Sequence, residues 1–374
     1  MFSTKQKRLL ALDGGGVLGV ISVQALIAME DQLRALLGGD PDFRLRDFFD
    51  YIGGTSTGAI LAAGLSIGKS ARELETFYTE RAEEMFDRAA IWNRLRHRYR
   101  HSNITKTLRH EFFDATIAQL QDRGVLRDDR HLLVVTRNVE TDSPWPISTN
   151  PKATYNDRTR ADCNLNIPLW QLVRASTAAP TFFAPERLQW DPADPDKQFF
   201  FEDGGVTPYN NPAFLLYKMA TKEAYSCNWP EGEDRLMLVS VGTGSAFRLM
   251  DNPHADGEGL ASTAMTIPAE MMRAASVEND INCRTFGRCV AGAPIDRELG
   301  DMIPADGADK RAFLYARYDA DLSAEGLAAM GLDDVDASLM QMDSAAAVPD
   351  MVRVGRYMAK SVDLPNQFPT FMPE

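Results

Sequence analysis

A short run, Arg8-Leu9-Leu10-Ala11-Leu12, ends at an acid and three glycines, Asp13-Gly14-Gly15-Gly16, before Val17 to Leu37 continue with helical spacing. A buried strand that turns into a helix within a few residues needs backbone free of Cβ atoms, and glycine supplies it. Some forty residues later the pattern recurs. Phe48 to Ile52 reads as a second strand, Gly54-Thr55-Ser56-Thr57-Gly58 as a turn, and Ala59 to Leu65 as a helix. Strand, glycine turn, helix and strand again is the opening of a parallel α/β sheet, because parallel neighbours require a crossover.

The remaining chain extends this pattern. Ala71 to about Arg123 is helical and amphipathic, and His131 to Thr136 forms a third strand. Leu169 to Ala175 starts a helix closed by Ala178-Ala179-Pro180. Trp190 and Gln198 to Phe201 flank an acidic loop, which predicts a hairpin ending at Asp203-Gly204-Gly205. Arg235 to Val241 is another strand, stopped by Gly242-Thr243-Gly244. After residue 245 the texture changes to helical segments rich in Met and Ala, and the tail carries Pro365, Pro369 and Pro373. The expectation is an α/β domain over 8–245 and a helical C-terminal extension over 246–374 packed on it.

Bulk properties narrow the function classes. A net charge of −13 over 374 residues argues against a nucleic-acid polymer as partner, since a phosphate backbone repels such a surface. The four cysteines form no CxxC pair, so no metal site and no cofactor is expected. No stretch approaches the roughly 18 apolar residues of a membrane span, the longest being Ala59 to Gly68. The N-terminus lacks the apolar core of a signal peptide. A cytoplasmic protein is expected.

Gly-x-Ser-x-Gly between strand and helix forces the serine into an exposed, strained turn, and the following helix N-terminus supplies a positive dipole. Ser56 is therefore a candidate nucleophile, with a plain helix-capping serine as the alternative. Amides of the run 14–16 are unshielded and suit an oxyanion. Gly14-x-Gly16-x-x-Gly19 also matches the dinucleotide fingerprint, but the next strand leads into Gly54-Thr55-Ser56 rather than to the acid that motif requires. The pairing of both motifs favours acyl transfer. Its base is open on these residues alone. Of five histidines, His97, His101 and His110 lie in a polar helical region, and His131 opens a strand. His254 follows Asp203 in serine–acid–histidine order, whereas Asp203 itself ends an aromatic strand that would desolvate it and raise its pKa. An Asp-Gly turn is the other reading of Asp203.

Five blocks then resemble the patatin-like lipid acyl hydrolases in order and spacing over roughly residues 8 to 245. They are Asp13-Gly14-Gly15-Gly16, Gly54-Thr55-Ser56-Thr57-Gly58, Ala175 to Pro180, Asp203-Gly204-Gly205 with Asn210-Asn211-Pro212, and Ser240-Val241-Gly242-Thr243-Gly244. The resemblance implies a three-layer α/β fold, a mainly parallel central sheet flanked by helices. It implies a Ser–Asp dyad, Ser56 as nucleophile and Asp203 as base, and an oxyanion hole from the amides of Gly14, Gly15 and Gly16. Asp13, Gly19, Gly54, Gly58, Gly204 and Gly205 are its motif residues, and phospholipids or other acyl lipids its substrates, without metal. One departure is Leu18, where many relatives carry Arg or Lys.

Arg88 to His101 contrasts with the acidic whole, carrying five arginines with Ile91, Trp92, Leu95 and Tyr99 interleaved. A solvated helix face paired with Glu83, Glu84 and Asp87 accounts for it. So does contact with an anionic bilayer, at the inner membrane face, or with an anionic small-molecule activator such as a nucleotide second messenger. The Met- and Ala-rich stretch Ala264 to Ala275 would suit an acyl pocket or an oligomer contact, but methionine at helical spacing is more often plain core, and the stretch is assigned no role.

Overall fold

The computed structural model describes residues 5–86, 101–180, 183–189, 191, 194, 196–245, 260–304 and 309–373. Arg88 to Arg100 and the loop carrying His254 lie outside the described residues, as does the side chain of His101.

Among the described residues, one nine-stranded sheet organises the chain. Its strands are β1 (Lys7–Leu12), β2 (Tyr51–Thr55), β3 (His131–Asn138), β4 (Ser143–Ser148), β5 (Glu186–Gln189), β6 (Gln198–Asp203), β7 (Leu236–Val241), β8 (Arg288–Ala291) and β9 (Leu314–Tyr318). The run β3-β2-β1-β7-β9-β8 is parallel throughout, and β4, β5 and β6 add an antiparallel margin. This is the mainly parallel sheet expected from the strand–turn–helix opening.

Both faces of the sheet are covered, and the strands show why they read as continuous apolar runs. Leu10 and Leu12 of β1 join a core with the helices Gly19–Leu36, Thr57–Ser66 and Val348–Met358. Leu9 and Ala11, one residue out of phase, join a second core with the helix Ala213–Thr221. Two cores on opposite faces of one sheet make three layers.

The helix at Gly16–Leu36 corrects one expectation. It is long and apolar enough to cross a membrane, yet most of its apolar stretch is buried inside the fold. It is a core helix that packs closely on Val348–Met358. A Cβ on Gly355 would stand 2.7 Å from Gln24 and 2.9 Å from Ile21.

Three further expectations shift. Leu45–Phe48 is a short helix and the strand begins at Tyr51, because the Asp47 carboxylate caps the backbone N–H of Arg44 at 2.9 Å and starts a turn there. β4 escaped the sequence pattern because Pro144 and Pro146 interrupt it. Prolines are tolerated there because β4 bonds only to β3 among the described residues, and an edge strand has one side free of N–H obligations. The segment after 245 is not only helical. It also supplies β8 and β9, and β9 is the direct neighbour of β7. Short strands of four and five residues between loops carry too little period-2 signal to stand out.

The C-terminal tail also closes on β1. Arg8 is buried, its guanidinium 5.1 Å from the Phe48 ring and 5.9 Å from the Phe371 ring, and its Nη2 donates to the Phe371 carbonyl at 3.2 Å. Phe371 is fully buried in the larger core. Phe371→Ala is expected to destabilise the fold by about 3–5 kcal/mol through cavity formation, read as a lower urea midpoint at unchanged slope.

Candidate active site

β3 outruns β2, and the site is built on that difference. β2 covers one edge of β3 from His131 to Val135, ending at Thr55 opposite Val135. β4 occupies the other edge from Leu133 to Asn138. β6 pairs with Thr136 to Asn138 and must take the edge that β2 has vacated. Being antiparallel, it runs down that edge towards β2 and stops with Asp203 opposite Thr136. The C-terminal ends of β2 and β6 therefore meet head to head along β3, and the next residue after Thr55 is Ser56.

Ser56 adopts φ 54° and ψ −122°, a left-handed conformation that costs a non-glycine residue energy and persists only when its surroundings enforce it. Here the enforcement is visible. The Ser56 N–H donates to Ser176 Oγ at 2.9 Å, and that hydroxyl donates to the Val135 carbonyl at 2.6 Å. Gly54 and Gly58 press the turn together. A Cβ on Gly54 would meet Gly58 O at 2.0 Å, and one on Gly58 would meet Leu12 O at 2.1 Å.

Ser56 Oγ donates to Asp203 Oδ2 at 2.5 Å, while Asp203 Oδ1 accepts from the Gly205 N–H at 2.7 Å. Ser56 is 7% exposed and Asp203 3%. Burial pushes the Asp203 carboxyl up to about 6. The Ser56 and Gly205 hydrogen bonds and the cation of Arg174 oppose that rise. Arg174 lies on the helix Leu169–Ser176, buried, with its guanidinium 4.7 Å from the Phe183 ring and its Nη1 without a hydrogen-bond partner among the described residues. Gly204 lets the chain cross β3, where a Cβ would stand 2.3 Å from Val135 O.

The glycine loop faces this pair. Gly14 comes so close to Ser56 that its absent Cβ would lie 3.3 Å from that of the serine. Asp13 is buried and held by both Nη atoms of Arg317 at 2.9 and 2.7 Å, and Arg317 also grips Asp319 and Ser240. The expectation of three free amides is corrected here. Gly14 N–H donates to Asn210 O at 3.0 Å, whereas Gly15 and Gly16 N–H have no acceptor among the described residues. Gly19 opens the first helix against Thr57, and Leu18 is buried in the core rather than turned to the site.

Among the described residues no histidine bonds to Ser56 or Asp203. His131 sits at the far end of β3, stacked on Trp229 with centroids 5.8 Å apart, and burial pushes its pKa down to about 4. His110 is on the exposed surface.

The patatin-like phospholipase family model matches residues 10–217. The chain belongs to that family. It is 30% identical over 293 residues to a protein of Vibrio cholerae serotype O1 named cGAMP-activated phospholipase, covering 72% of this chain and 76% of that protein. A protein of the same name from Escherichia coli is 30% identical over 217 residues, 56% of this chain, which spans about half (54%) of that relative's length. Patatin-17 of Solanum cardiophyllum is 26% identical over 284 residues, 71% of this chain and 68% of its own.

As a patatin-like phospholipase, the chain is a carboxylic ester hydrolase. Ser176 and Arg174, which sequence reasoning gave no role, lie in and beside its Ala175–Pro180 block. Arg317 lies outside every block, and no spacing in the sequence ties it to Asp13.

The raised Asp203 pKa has a signed consequence for stability. The folded carboxyl titrates near 6 and the unfolded one near 3.8, so the folded state binds the extra proton between those values. Stability is lost as pH rises through that window. Asp203→Asn carries no such dependence. Its stability relative to wild type is expected to improve by on the order of 3 kcal/mol from pH 3.5 to pH 7, measured by urea unfolding at both. A pH-independent difference would contradict a raised carboxyl.

Proposed function

We propose that the protein hydrolyses fatty-acyl esters of phospholipids or related lipids through a Ser56–Asp203 dyad and an acyl-enzyme. The observation carrying this reading is the 2.5 Å hydrogen bond from Ser56 Oγ to a buried carboxylate in a member of a phospholipase family.

Asp203 Oδ2 takes the hydroxyl proton as Ser56 Oγ bonds to the ester carbonyl carbon. The carbonyl oxygen gathers negative charge, and the free amides of Gly15 and Gly16 are the donors that stabilise it. Asp203 then returns the proton to the departing alcohol oxygen as its bond to the acyl carbon breaks. Water repeats the sequence on the acyl-enzyme. It gives one proton to Asp203 as its oxygen bonds to the acyl carbon, and Ser56 leaves with that proton. A carboxylate titrating near 6 is close to operating pH, which is where a base transfers protons effectively.

Ser56→Ala and Asp203→Asn are each expected to reduce hydrolysis of a short-chain nitrophenyl ester by at least about a thousandfold while leaving the circular dichroism spectrum unchanged. Wild-type turnover by Asp203→Asn would refute the dyad. Because Asp203 acts ionised, kcat/KM is expected to fall below about pH 6, the value to which burial raises it. Arg174→Gln removes a cation that favours ionisation, so the acid limb should move to higher pH.

Two relatives are named cGAMP-activated phospholipases, which supports a small-molecule activator for this chain as well. Hydrolysis of anionic phospholipid vesicles is expected to rise on addition of cGAMP. An equal rate with and without it would show that this chain does not use that activator.

A further inference from the structure

The segment Ser240-Val241-Gly242-Thr243-Gly244, the end of β7 and the turn after it, lies beyond the residues matched to the family and takes part in none of the steps above. β7 ends at Val241 beside Leu12 of β1, so the residues that follow stand next to the glycine loop. Thr243 is 6% exposed, and its Oγ1 donates to the Gly14 carbonyl at 3.0 Å. Its side chain fills the space a Cβ on Gly15 would need, 2.2 Å from Oγ1. The turn carrying Thr243 is itself fixed from β9. Gly242 N–H donates to Tyr318 O at 2.8 Å, and Gly244 N–H to Asp319 Oδ1 at 2.8 Å.

Three consecutive glycines have no side chains to hold their peptide planes, so rotation of a peptide there meets little steric resistance. In a trans peptide the C=O and the following N–H point in opposite directions. Fixing the Gly14 carbonyl on Thr243 therefore turns the Gly15 N–H to the opposite side of the loop. Asn210 Nδ2 adds a weaker contact to the same carbonyl at 3.4 Å. The neighbouring Gly14 N–H already donates to Asn210 O, which leaves the Gly15 N–H as the first donor of the loop without an acceptor among the described residues.

We infer that Thr243 is a positioning residue for the oxyanion hole: its hydroxyl locks the Gly14–Gly15 peptide with the Gly15 N–H presented to the oxyanion formed at Ser56. The inference rests on the acyl-enzyme reading of Ser56. Thr243 touches no reacting atom and acts only through the glycine loop.

Thr243→Val keeps the shape and removes the donor, and Thr243→Ser keeps the donor. With the valine variant, kcat is expected to drop about tenfold to a hundredfold, less than the roughly hundredfold to thousandfold of removing an oxyanion donor outright, with KM nearly unchanged. Affinity for a trifluoromethyl ketone, which forms an oxyanion on the serine, should fall in parallel, and Thr243→Ser should restore both. Thr243→Cys, a weak donor of similar size, should fall between them and serves if the valine protein does not fold. Wild-type kcat and ketone affinity in folded Thr243→Val, with Ser56 of the wild type labelled by a fluorophosphonate, would overturn the inference alone. Failure of the wild type to label at Ser56 would overturn the acyl-enzyme reading and this inference with it.

Discussion

The Asp203 carboxylate sits 2.5 Å from Ser56 Oγ and is almost wholly buried, and the rest of the structure has to hold it there. An unpaired buried carboxylate is costly. Asp203 offsets the cost with one hydrogen bond from the serine, one from the Gly205 amide, and the field of the buried Arg174. These opposing influences leave its pKa raised but short of neutralising it at neutral pH. A fully satisfied carboxylate would be a poor base, and an unsupported one would stay protonated.

The same logic governs the glycine loop from the other side. Asp13 and Arg317 form a two-point ion pair in the interior, extended to Asp319 and Ser240. Such a network is worth little as raw stability once desolvation is counted. It anchors the loop's first residue to β9, a strand outside the family-matched region. The loop is thus held at Asp13 by charge, at Gly14 by Asn210 and Thr243, and at Val17 by the Met342 carbonyl at 2.9 Å.

Much of this was legible in the sequence because it rests on local rules. Glycines at 14–16, 54 and 58 mark places where backbone approaches backbone, and apolar runs of four to six residues mark strands buried on both faces. Ser56 follows from its own turn. Asp203 is different: its neighbours also fit an ordinary Asp-Gly turn, and only the non-local pairing of β6 with β3 puts it beside the serine. Arg317 and Thr243 were illegible for the same reason, since contacts over 304 and 229 residues leave no periodic trace. β4 was hidden by its prolines, and β8 and β9 by their shortness.

The opposed ends of β2 and β6 make the site a gauge of strand alignment. Ser56 directly follows a strand locked in the centre of the sheet, whereas Asp203 belongs to a hairpin, β5–β6, held to β3 by three residue pairs. A slip of that hairpin by one position would carry the carboxylate about 3.3 Å along β3 and invert which face it addresses. The distance between Ser56 and Asp203 is thereby tied to the docking of a marginal element, so that a disturbance of the hairpin remote from the serine is transmitted to their hydrogen bond as a change of register.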